Sequence, residues 1–306
     1  MRYSQFAPEE QLGPLLQRVI NATPFYRMKY RGLSLEPFSM EAFESLPFTS
    51  LEEISQRSNL DDLYLDLAES NYVIIREGAA GINNASFWNS SYLDEQTAIL
   101  ATTLEQLGIS REDRVLNLFI PGISGMWQLF NLALEKIGPA IIPLGGEAEI
   151  PVIARFFDDL RPNALVGKPS ALVPVLEHLA RGKQEFTIET VIYSGENPSP
   201  NQYDTMKRYA QNLFFPIYYT TETGIIGTQC PQRPAGIFHL SNTVYPELID
   251  PQNGKITDKN HGELVITSLT DRASPSLRYR PGSTISLLEE PCNCGNKALL
   301  FKLDDW

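Results

Sequence analysis

The segment "REGAAGINN", residues 76–84, follows an apolar run and sets Gly78 three residues before Gly81. Glycines at this spacing after a strand are typical of loops whose backbone N–H groups hold phosphate. Such loops commonly add Ser, Thr or Lys side chains as donors, and residues 76–82 contain none of these. The backbone alone can form an anion-binding nest, but Glu77 brings a like charge that Arg76 offsets only in part. The segment therefore predicts a loop with the shape of a phosphate site and little of its chemistry.

A second set of residues has the chemistry of a metal site. Cys230, Cys292 and Cys294 are the three cysteines of the chain, and His239 follows Cys230 by nine residues. Three thiolates and one imidazole form a Cys3His set that binds structural zinc tetrahedrally. The Cys-x-Cys spacing is tighter than in the usual zinc motifs, so three thiols without a metal are the alternative. The four residues are the candidate zinc ligands.

Composition and charge narrow the class of protein. The 306-residue chain is 42% hydrophobic and carries a formal net charge of -12. This charge repels nucleic acid and anionic membrane surfaces, and no basic stripe offsets it. The first residues lack the apolar core of a signal peptide, and no run of about eighteen apolar residues spans a bilayer. We expect a cytoplasmic protein with neither nucleic acid nor membrane as a partner.

The middle of the chain alternates short apolar runs with amphipathic segments, which predicts parallel strands covered by helices on both faces. After residue 224 the pattern changes to short strands joined by turns such as Asn253-Gly254, which predicts antiparallel hairpins. The predicted fold class is α/β, with stacked mixed and parallel sheets and a small C-terminal antiparallel β subdomain. The predicted domains are 1–230 and 231–306. The predicted strands of the middle region are 115–120, 140–144, 164–166, 190–193 and 214–218, and the helices are 126–136, 171–180 and 201–210.

Six stretches, in this order, resemble the adenylate-forming ligases and, among them, the phenylacetate–CoA ligase-like group. They are "TPFYRMKYRG", "LPFTSLEEI", "AIIPLGGEAE", "IYYTTETG", "GELVITSLT" and "SLRYRPGS". The superfamily also contains acyl-CoA synthetases, nonribosomal-peptide adenylation domains and luciferase. Its members join a carboxylic acid to AMP and then pass the acyl group to an acceptor, usually coenzyme A. The resemblance covers nearly the whole chain and implies the large N-terminal domain of such an enzyme.

The resemblance also implies roles for single residues. Thr221 matches a hydroxyl that contacts phosphate and Glu222 matches a carboxylate that helps hold Mg2+, so both are candidate catalytic residues. Core packing of Tyr218, and capping of the next helix or turn by Thr221 and Glu222, are the structural alternatives. The implied nucleotide-binding residues are Gly78, Gly81, Gly195, Glu196, Tyr218 and Ser283. The implied substrate-pocket residues are Phe119, Gly122, Met126, Tyr219 and Thr220.

Several positions depart from the family pattern. Against the family loop Ser-Ser-Gly-Thr-Thr-Gly-Lys, Ala79 and Ala80 replace hydroxyls and Ile82 replaces the lysine. Ser283 replaces an aspartate that binds both ribose hydroxyls, and losing a charged acceptor costs on the order of 1.5–3 kcal/mol. Tyr219 replaces a glycine that borders the acyl pocket. These changes make the phosphate loop degenerate and the nucleotide site weaker.

The last residues, "FKLDDW", resemble the hinge that leads to the small mobile C-terminal domain of the family. The sequence thus predicts that this domain, which supplies a lysine for adenylation, is absent. If so, the chain cannot complete the two-state cycle of the family alone.

The departures favour a divergent, truncated ligase homologue that binds a carboxylic acid or acyl-type ligand, with ATP-dependent activation impaired or lost. The first alternative is an active carboxylate-adenylating ligase of a biosynthetic pathway, which uses ATP and Mg2+ and transfers to CoA, a carrier protein or an amine. The second alternative is an ATP-independent acyl-processing enzyme or a protein-interaction scaffold. The resemblance leaves room for a homodimer and for a protein partner that supplies the missing domain.

Overall fold

The computed structural model describes residues 8–33, 36–56, 60–63, 65, 68, 70–78, 81–122, 124–182, 186–270 and 272–304. Contacts group the chain into two compact units. Unit 1 comprises Met1–Asp94, Tyr219–Gly227 and Ile237–Trp306, and unit 2 comprises Glu95–Tyr218 and Thr228–Gly236. The boundaries of these units differ from the predicted domains 1–230 and 231–306. The division into those domains stays a prediction.

Helices and strands alternate through most of the described residues. The helices are α1 (Pro8–Ala22), α2 (Pro24–Lys29), α3 (Met40–Glu44), α4 (Leu51–Ser55), α5 (Ser90–Gln106), α6 (Met126–Ile137), α7 (Ile150–Leu160), α8 (Pro169–Arg181) and α9 (Pro200–Tyr209). The strands are β1 (Tyr72–Gly78), β2 (Gly81–Trp88), β3 (Arg114–Asn117), β4 (Ala140–Ile142), β5 (Ala164–Gly167), β6 (Ile188–Tyr193), β7 (Ala210–Phe214), β8 (Ile217–Thr220), β9 (Gly224–Gln229), β10 (Ile237–Leu240), β11 (Val244–Ile249), β12 (His261–Ser268), β13 (Thr284–Leu288) and β14 (Leu300–Leu303). A 3-10 helix covers Leu60–Leu63.

A five-stranded parallel sheet forms the centre of unit 2. Its order is β4-β3-β5-β6-β7, and each neighbouring pair is parallel. All four residues of β5 are buried, as expected for a strand covered on both faces. Ser199 begins α9 with a capping box that pairs it with Gln202. The predicted helices at 126–136, 171–180 and 201–210 are confirmed as α6, α8 and α9, and the α/β fold class is confirmed with them.

Two details of the middle region were not predicted correctly. The strand predicted at 214–218 is wrong, because β7 and β8 are separate strands that belong to different sheets. Pro216 lies between them and has no N–H to donate to a ladder, which explains the break. Helix α7 was missed, although its first turn contains the Pro151 that commonly begins a helix.

A seven-stranded sheet with the order β11-β12-β13-β14-β10-β9-β8 contains the strands of the C-terminal region. The pairs β11–β12, β12–β13, β13–β14 and β14–β10 are antiparallel, which confirms the predicted antiparallel subdomain. The predicted turn at Asn253-Gly254 is also present. There the N–H of Gly254 donates to the carbonyl of Asp250 at 2.8 Å, and the φ angle of Gly254 is +68°.

The segment "REGAAGINN" is part of a two-stranded antiparallel hairpin made by β1 and β2. Gly78 pairs with Gly81 at its tip, so strand continues where the sequence predicted a loop. The register shifts between Arg76 and Glu77, which pair with residues 84 and 82 and leave residue 83 as a bulge. Ala79 and Ala80, and the side chains of Glu77 and Ile82, lie outside the described residues.

A buried ion pair joins the N-terminal helices of unit 1 to its sheet. Arg278 and Glu247, whose side chains are 1% and 3% exposed, form a bidentate pair with N···O distances of 2.8 and 3.0 Å. The remaining guanidinium nitrogen donates to the carbonyls of Glu44, the last residue of α3, and Leu46. The guanidinium also lies 4.2 Å from the ring centroid of Phe48. All charges of the network are thus compensated within the protein.

We predict that Glu247→Ala lowers the free energy of unfolding by about 3–5 kcal/mol, because it leaves the guanidinium of Arg278 buried without its carboxylate. The matched control is Glu263→Ala, which removes the partner of Arg280 from an exposed pair at 2.6 Å and should cost at most about 1 kcal/mol. Urea denaturation measures both values. Equal losses in the two variants would contradict a structural role for the buried network.

Candidate functional site

The residues that the sequence singled out divide between the two units. Unit 1 contains Gly78, Gly81, Tyr219, Thr220, Thr221, Glu222, His239, Ser283, Cys292 and Cys294, and unit 2 contains Phe119, Gly122, Met126, Gly195, Glu196, Tyr218 and Cys230.

Thr221 and Glu222 lie in a tight turn between β8 and β9. The hydroxyl of Thr220 accepts a hydrogen bond from the N–H of Thr223 at 3.1 Å, and the two threonine hydroxyls are 2.7 Å apart. Because β9 rather than a helix follows, Thr221 and Glu222 do not cap a helix, and of that structural alternative only a role in the turn itself remains. Both side chains are buried, with residue exposures of 5% and 3%.

Two side chains fix the backbone of this turn from outside. The hydroxyl of Ser276 donates to the carbonyl of Glu222 at 2.6 Å. The hydroxyl of Tyr92 donates to the carbonyl of Thr223 at 2.8 Å. The carboxylate of Glu222 is therefore carried by a turn that is held on both sides.

The carboxylate of Glu222 is paired with Arg76 of strand β1. The Nη1 atom of Arg76 lies 3.1 Å from each carboxylate oxygen. The Glu222 side chain is 2% exposed, whereas that of Arg76 is 40% exposed. Partial burial opposes the charged guanidinium, yet the negative charge of Glu222 and a hydrogen bond with the Tyr279 side chain raise the pKa of Arg76 above its ordinary value. Sequence reasoning missed this pair, because the two residues are 146 positions apart.

The pairing bears on whether Mg2+ fits the site. The resemblance assigns Glu222 to Mg2+, which requires near-octahedral oxygen ligands at about 2.0–2.1 Å. Both oxygens of Glu222 already accept hydrogen bonds from Arg76. Two like unit charges about 4 Å apart repel by about 4 kcal/mol at an effective dielectric constant near 20, and Mg2+ carries two charges. The residues present therefore do not fit Mg2+ at Glu222 in this arrangement.

A small cavity in unit 1 borders Glu222. Its polar lining comes from Tyr26, Ser86, Ser274 and Ser276, and its volume is about 10 Å³. This volume is enough for about one water molecule. Pockets that enclose a small organic ligand measure roughly 300–1,000 Å³. This cavity alone is too small for a nucleotide or an organic acid, and Arg76 is not among the residues that line it.

A second arginine, which sequence reasoning also missed, lies behind this cavity. Arg272 is 0% exposed and donates to the hydroxyls of Ser86 at 2.5 Å and Tyr92 at 3.3 Å. Its guanidinium lies 4.7 Å from the centroid of the Tyr92 ring.

Tyr219, which replaces the family glycine, packs within unit 1. Its ring meets Trp88 edge-to-face, with centroids 6.3 Å apart. Burial raises the pKa of Tyr219 well above its ordinary value, although Arg272 and a hydrogen bond with Thr221 act in the opposite direction. The side chain is thus a neutral phenol at physiological pH. Its role in an acyl pocket stays a prediction.

The residues that the resemblance implies for nucleotide binding lie in different local environments. Ser283 lies directly before β13, where its carbonyl accepts a hydrogen bond from Leu264 at 2.9 Å. Gly195 follows β6 with a φ angle of +85°, which favours glycine. The carboxylate of Glu196 accepts from the N–H of Ser170 at 2.6 Å, in the first turn of α8. Tyr218 is 9% exposed in β8. Contact with a nucleotide stays a prediction for all four.

The substrate-pocket residues of unit 2 are mostly packed. Phe119 and Met126 are each 1% exposed, and the ring of Phe119 lies 4.7 Å from that of Phe130 between centroids. Gly122 occupies an exposed turn with a φ angle of +83° and open space where a Cβ would lie. Phe119 and Met126 therefore contribute to the core of this unit, and a pocket role for them remains a prediction.

The four predicted metal ligands come together. The ligand atoms of Cys230, His239, Cys292 and Cys294 all lie within 4.8 Å of one another. The Nε2 atom of His239 is 3.2 Å from the Sγ atom of Cys294, and its Nδ1 atom is 3.4 Å from the carbonyl oxygen of Ala298. Tetrahedral zinc with Zn–S bonds of about 2.3 Å places its sulfur ligands roughly 3.7 Å apart. The donor set and its size therefore fit zinc after a small contraction.

The stretch that resembles the family hinge is largely a strand. Phe301, Lys302 and Leu303 belong to β14, which pairs with β13 and β10. Asp304 follows, and its carboxylate lies 3.0 Å from the Nδ1 atom of His261. Asp305 lies outside the described residues.

Comparisons with known proteins show which proteins this chain is similar to. No known family profile matches the sequence. Phenylacetate–coenzyme A ligase from Escherichia coli (strain K12) is 22% identical over 295 residues, which cover 91% of this chain and 66% of that protein. A crystal structure of 2-hydroxyisobutyryl-CoA ligase in complex with 2-HIB-AMP and CoA matches with a TM-score of 0.81 and 20% identity, over 97% of this chain and 66% of that one. The chain therefore resembles phenylacetate–CoA ligases over most of its length and shares the fold of an adenylate-forming ligase.

These comparisons confirm the resemblance that the six sequence stretches indicated. A further relative, indoleacetate–lysine synthetase from Pseudomonas savastanoi, is 24% identical over 234 residues, which cover 73% of this chain and 55% of that protein. The chain spans about two thirds of the length of the phenylacetate–CoA ligases it matches. Among the described residues, no helix combines the length and the apolar character that crossing a membrane requires.

Proposed function

We propose that this chain binds a carboxylic acid or acyl-type ligand through an adenylate-forming fold, and that its ATP-dependent activation of a carboxylate is impaired or lost. The observation that carries the proposal is the ion pair of Arg76 and Glu222. An adenylating ligase needs the carboxylate at this position for Mg2+ coordination, and here the carboxylate is neutralised from within the protein. A metal ion has to displace a guanidinium before it can bind.

The loop chemistry supports the same proposal. Residues 79 and 80 are alanines and residue 82 is isoleucine, so these three positions supply none of the hydroxyl and ammonium donors of the family loop. Ser283 has one hydroxyl where the family carries a carboxylate. Each lost charge-assisted hydrogen bond costs on the order of 1.5–3 kcal/mol, or about one to two powers of ten in affinity. Together these losses weaken the binding of a triphosphate most, because it needs the largest number of donors.

An active adenylating ligase is the second candidate, and one observation favours it. Tyr218, Thr221 and Glu222 keep the residue types of the family signature. The relatives are named as ligases of CoA and of lysine, which suggests CoA or an amine as the acceptor if this chain is active. A homodimer, and a partner that supplies a further domain, remain predictions in either case.

A structural zinc ion is part of the proposal. Cys230, His239, Cys292 and Cys294 supply three thiolates and one imidazole, which leave no open position for catalysis. The contact of His239 with the carbonyl of Ala298 would orient the ring, as outer-shell partners of metal-binding histidines do. The ion would stabilise the loops that carry its ligands.

We predict that isothermal titration calorimetry shows no saturable binding of ATP with Mg2+ up to millimolar concentration. Acid-dependent release of pyrophosphate should likewise be absent with a panel of aryl and alkyl carboxylic acids. The physical reason is the engaged Glu222 carboxylate together with the donors missing from the hairpin tip. Micromolar binding of ATP with pyrophosphate release would overturn the proposal and establish the active ligase instead.

Restoring the family donors tests whether the site is ancestral. We predict that the combined variant Ala79→Thr, Ala80→Thr, Ile82→Lys and Ser283→Asp increases ATP affinity by about tenfold or more, since each charged donor or acceptor is worth on the order of 1.5 kcal/mol. The matched control makes Ala→Thr changes at Ala22 and Ala180, outside the site. An equal change in ATP affinity in the combined variant and the control would contradict the assignment of residues 79–82 and Ser283 to a nucleotide site.

We predict about one zinc ion per chain in elemental analysis of the purified protein. His239→Ala and Cys294→Ser should lose the metal and lower the Tm by several degrees, because metal-binding free energy contributes to folding. His178→Ala, which changes a histidine of α8 outside the cluster, is the control and should keep both zinc content and Tm. A protein that folds equally well with no bound metal would contradict the zinc site.

A further inference from the structure

The guanidinium of Arg76 is 40% exposed, whereas the carboxylate that anchors it is 2% exposed. We infer that the guanidinium of Arg76 binds the oxyanion of the ligand, which is a carboxylate or a phosphate monoester. This binding needs no divalent metal ion. This inference rests on the proposed function, because it concerns the same site. It goes further by assigning the group that recognises the ligand and the conditions under which it binds.

The geometry of the pair leaves donors for a ligand. A single nitrogen, Nη1, makes both hydrogen bonds to Glu222. A guanidinium carries five N–H groups in a fixed fork, so the three on Nε and Nη2 are not used by Glu222. One further hydrogen bond joins Arg76 to the side chain of Tyr279. The edge that Nε and Nη2 form is the edge that binds carboxylate and phosphate oxygens in pairs.

The pair also holds the guanidinium in place before a ligand arrives. Glu222 sits on the turn that Ser276 and Tyr92 fix through backbone carbonyls. A cation anchored in this way does not reorganise when the ligand binds, which reduces the free-energy cost of binding. By contrast, Arg280 pairs with Glu263 through both of its outer nitrogens, Nε and Nη2, at 2.7 and 2.6 Å. Glu263 therefore occupies the Nε and Nη2 edge of Arg280, whereas Glu222 does not occupy that edge of Arg76.

The hairpin explains how Arg76 reaches this position. β1 and β2 pair regularly from Tyr72 to Arg76, and the register shifts immediately after Arg76. A bulge bends the strand and re-aims the side chains beside it, and bulges are enriched next to functional sites. The irregularity in the hairpin thus coincides with the residue that pairs with Glu222.

The charge balance distinguishes this site from a metal site. Arg76 supplies one positive charge and neutralises Glu222, so the empty pair is close to neutral. A metal-free site with a fixed guanidinium binds an oxyanion through direct N–H···O bonds, and its affinity does not depend on the concentration of Mg2+. A site that uses Glu222 for Mg2+ loses its ligand when the metal is chelated. The dependence on Mg2+ therefore separates the two arrangements.

The test uses AMP as the phosphate monoester and phenylacetate as the carboxylate, each titrated into the full chain by calorimetry. Every titration is run once with EDTA and once with excess Mg2+. We expect wild-type protein to bind at least one of the two probes with a Kd that changes less than twofold between the conditions. Binding of AMP alone would identify a phosphate monoester, and binding of phenylacetate alone a carboxylate.

Arg76→Ser should weaken the metal-free binding at least tenfold and make the remaining binding depend on Mg2+, since Glu222 is then available to the metal. Because this variant leaves a buried carboxylate without a partner, Arg76→Ser/Glu222→Gln serves as a second variant. It should fold, lose metal-free binding and show no response to Mg2+. Arg280→Ser, which removes an arginine from its exposed pair with Glu263, is the control and should bind as wild type.

Three outcomes would overturn the inference. The first is wild-type binding that requires Mg2+, and the second is metal-free binding that survives in both Arg76 variants. The third is failure of the wild-type protein to bind either probe at millimolar concentration. In the third case the loss of ATP chemistry would still stand, because ATP binding and pyrophosphate release are measured separately.

Discussion

A carboxylate that is almost completely buried needs a counter-ion, and the candidate site of this chain depends on how that need is met at Glu222. In a medium of low dielectric constant the unpaired charge costs several kcal/mol, so a cation must accompany it. Here the cation is the Arg76 guanidinium, carried by a bulged hairpin that reaches the turn after β8. Because a side chain of the protein is the counter-ion, a second cation is excluded from the carboxylate oxygens of Glu222.

The two buried carboxylate–arginine pairs of unit 1 show how similar chemistry serves different purposes. Glu247 and Arg278 are both buried, the Nη1 atom of Arg278 donates to two backbone carbonyls, and the guanidinium lies over the ring of Phe48. That pair holds elements together and has no capacity to bind anything else. Arg76 is anchored on one side and exposed on the other, so its pair has the asymmetry of a recognition site. Exposure of the cation, rather than the presence of the pair, separates a structural interaction from one that can bind a ligand.

The sequence predicted some features of this protein well because their causes are local. Helices α6, α8 and α9 follow from apolar periodicity and capping residues, and the antiparallel subdomain follows from turn residues between short strands. The strand predicted at 214–218 failed because the apolar run did not reveal that Pro216 divides it between two sheets. The metal cluster was predictable because few residue types bind zinc and the chain has only three cysteines. The pair of Arg76 and Glu222 was not, since no local pattern connects residues 146 positions apart.

Strand β10 is held against β14 by three residue pairs, and His239 is the last of these three in β10. Side chains on a strand alternate between faces, so a shift of one residue would turn His239 away from the side on which Cys294 lies. A metal ion bound by His239 and Cys294 would therefore accept only one alignment of the two strands. Metal binding by the cluster would therefore stabilise a single register of β10 with β14 during folding, and every slipped register would lose that stabilisation.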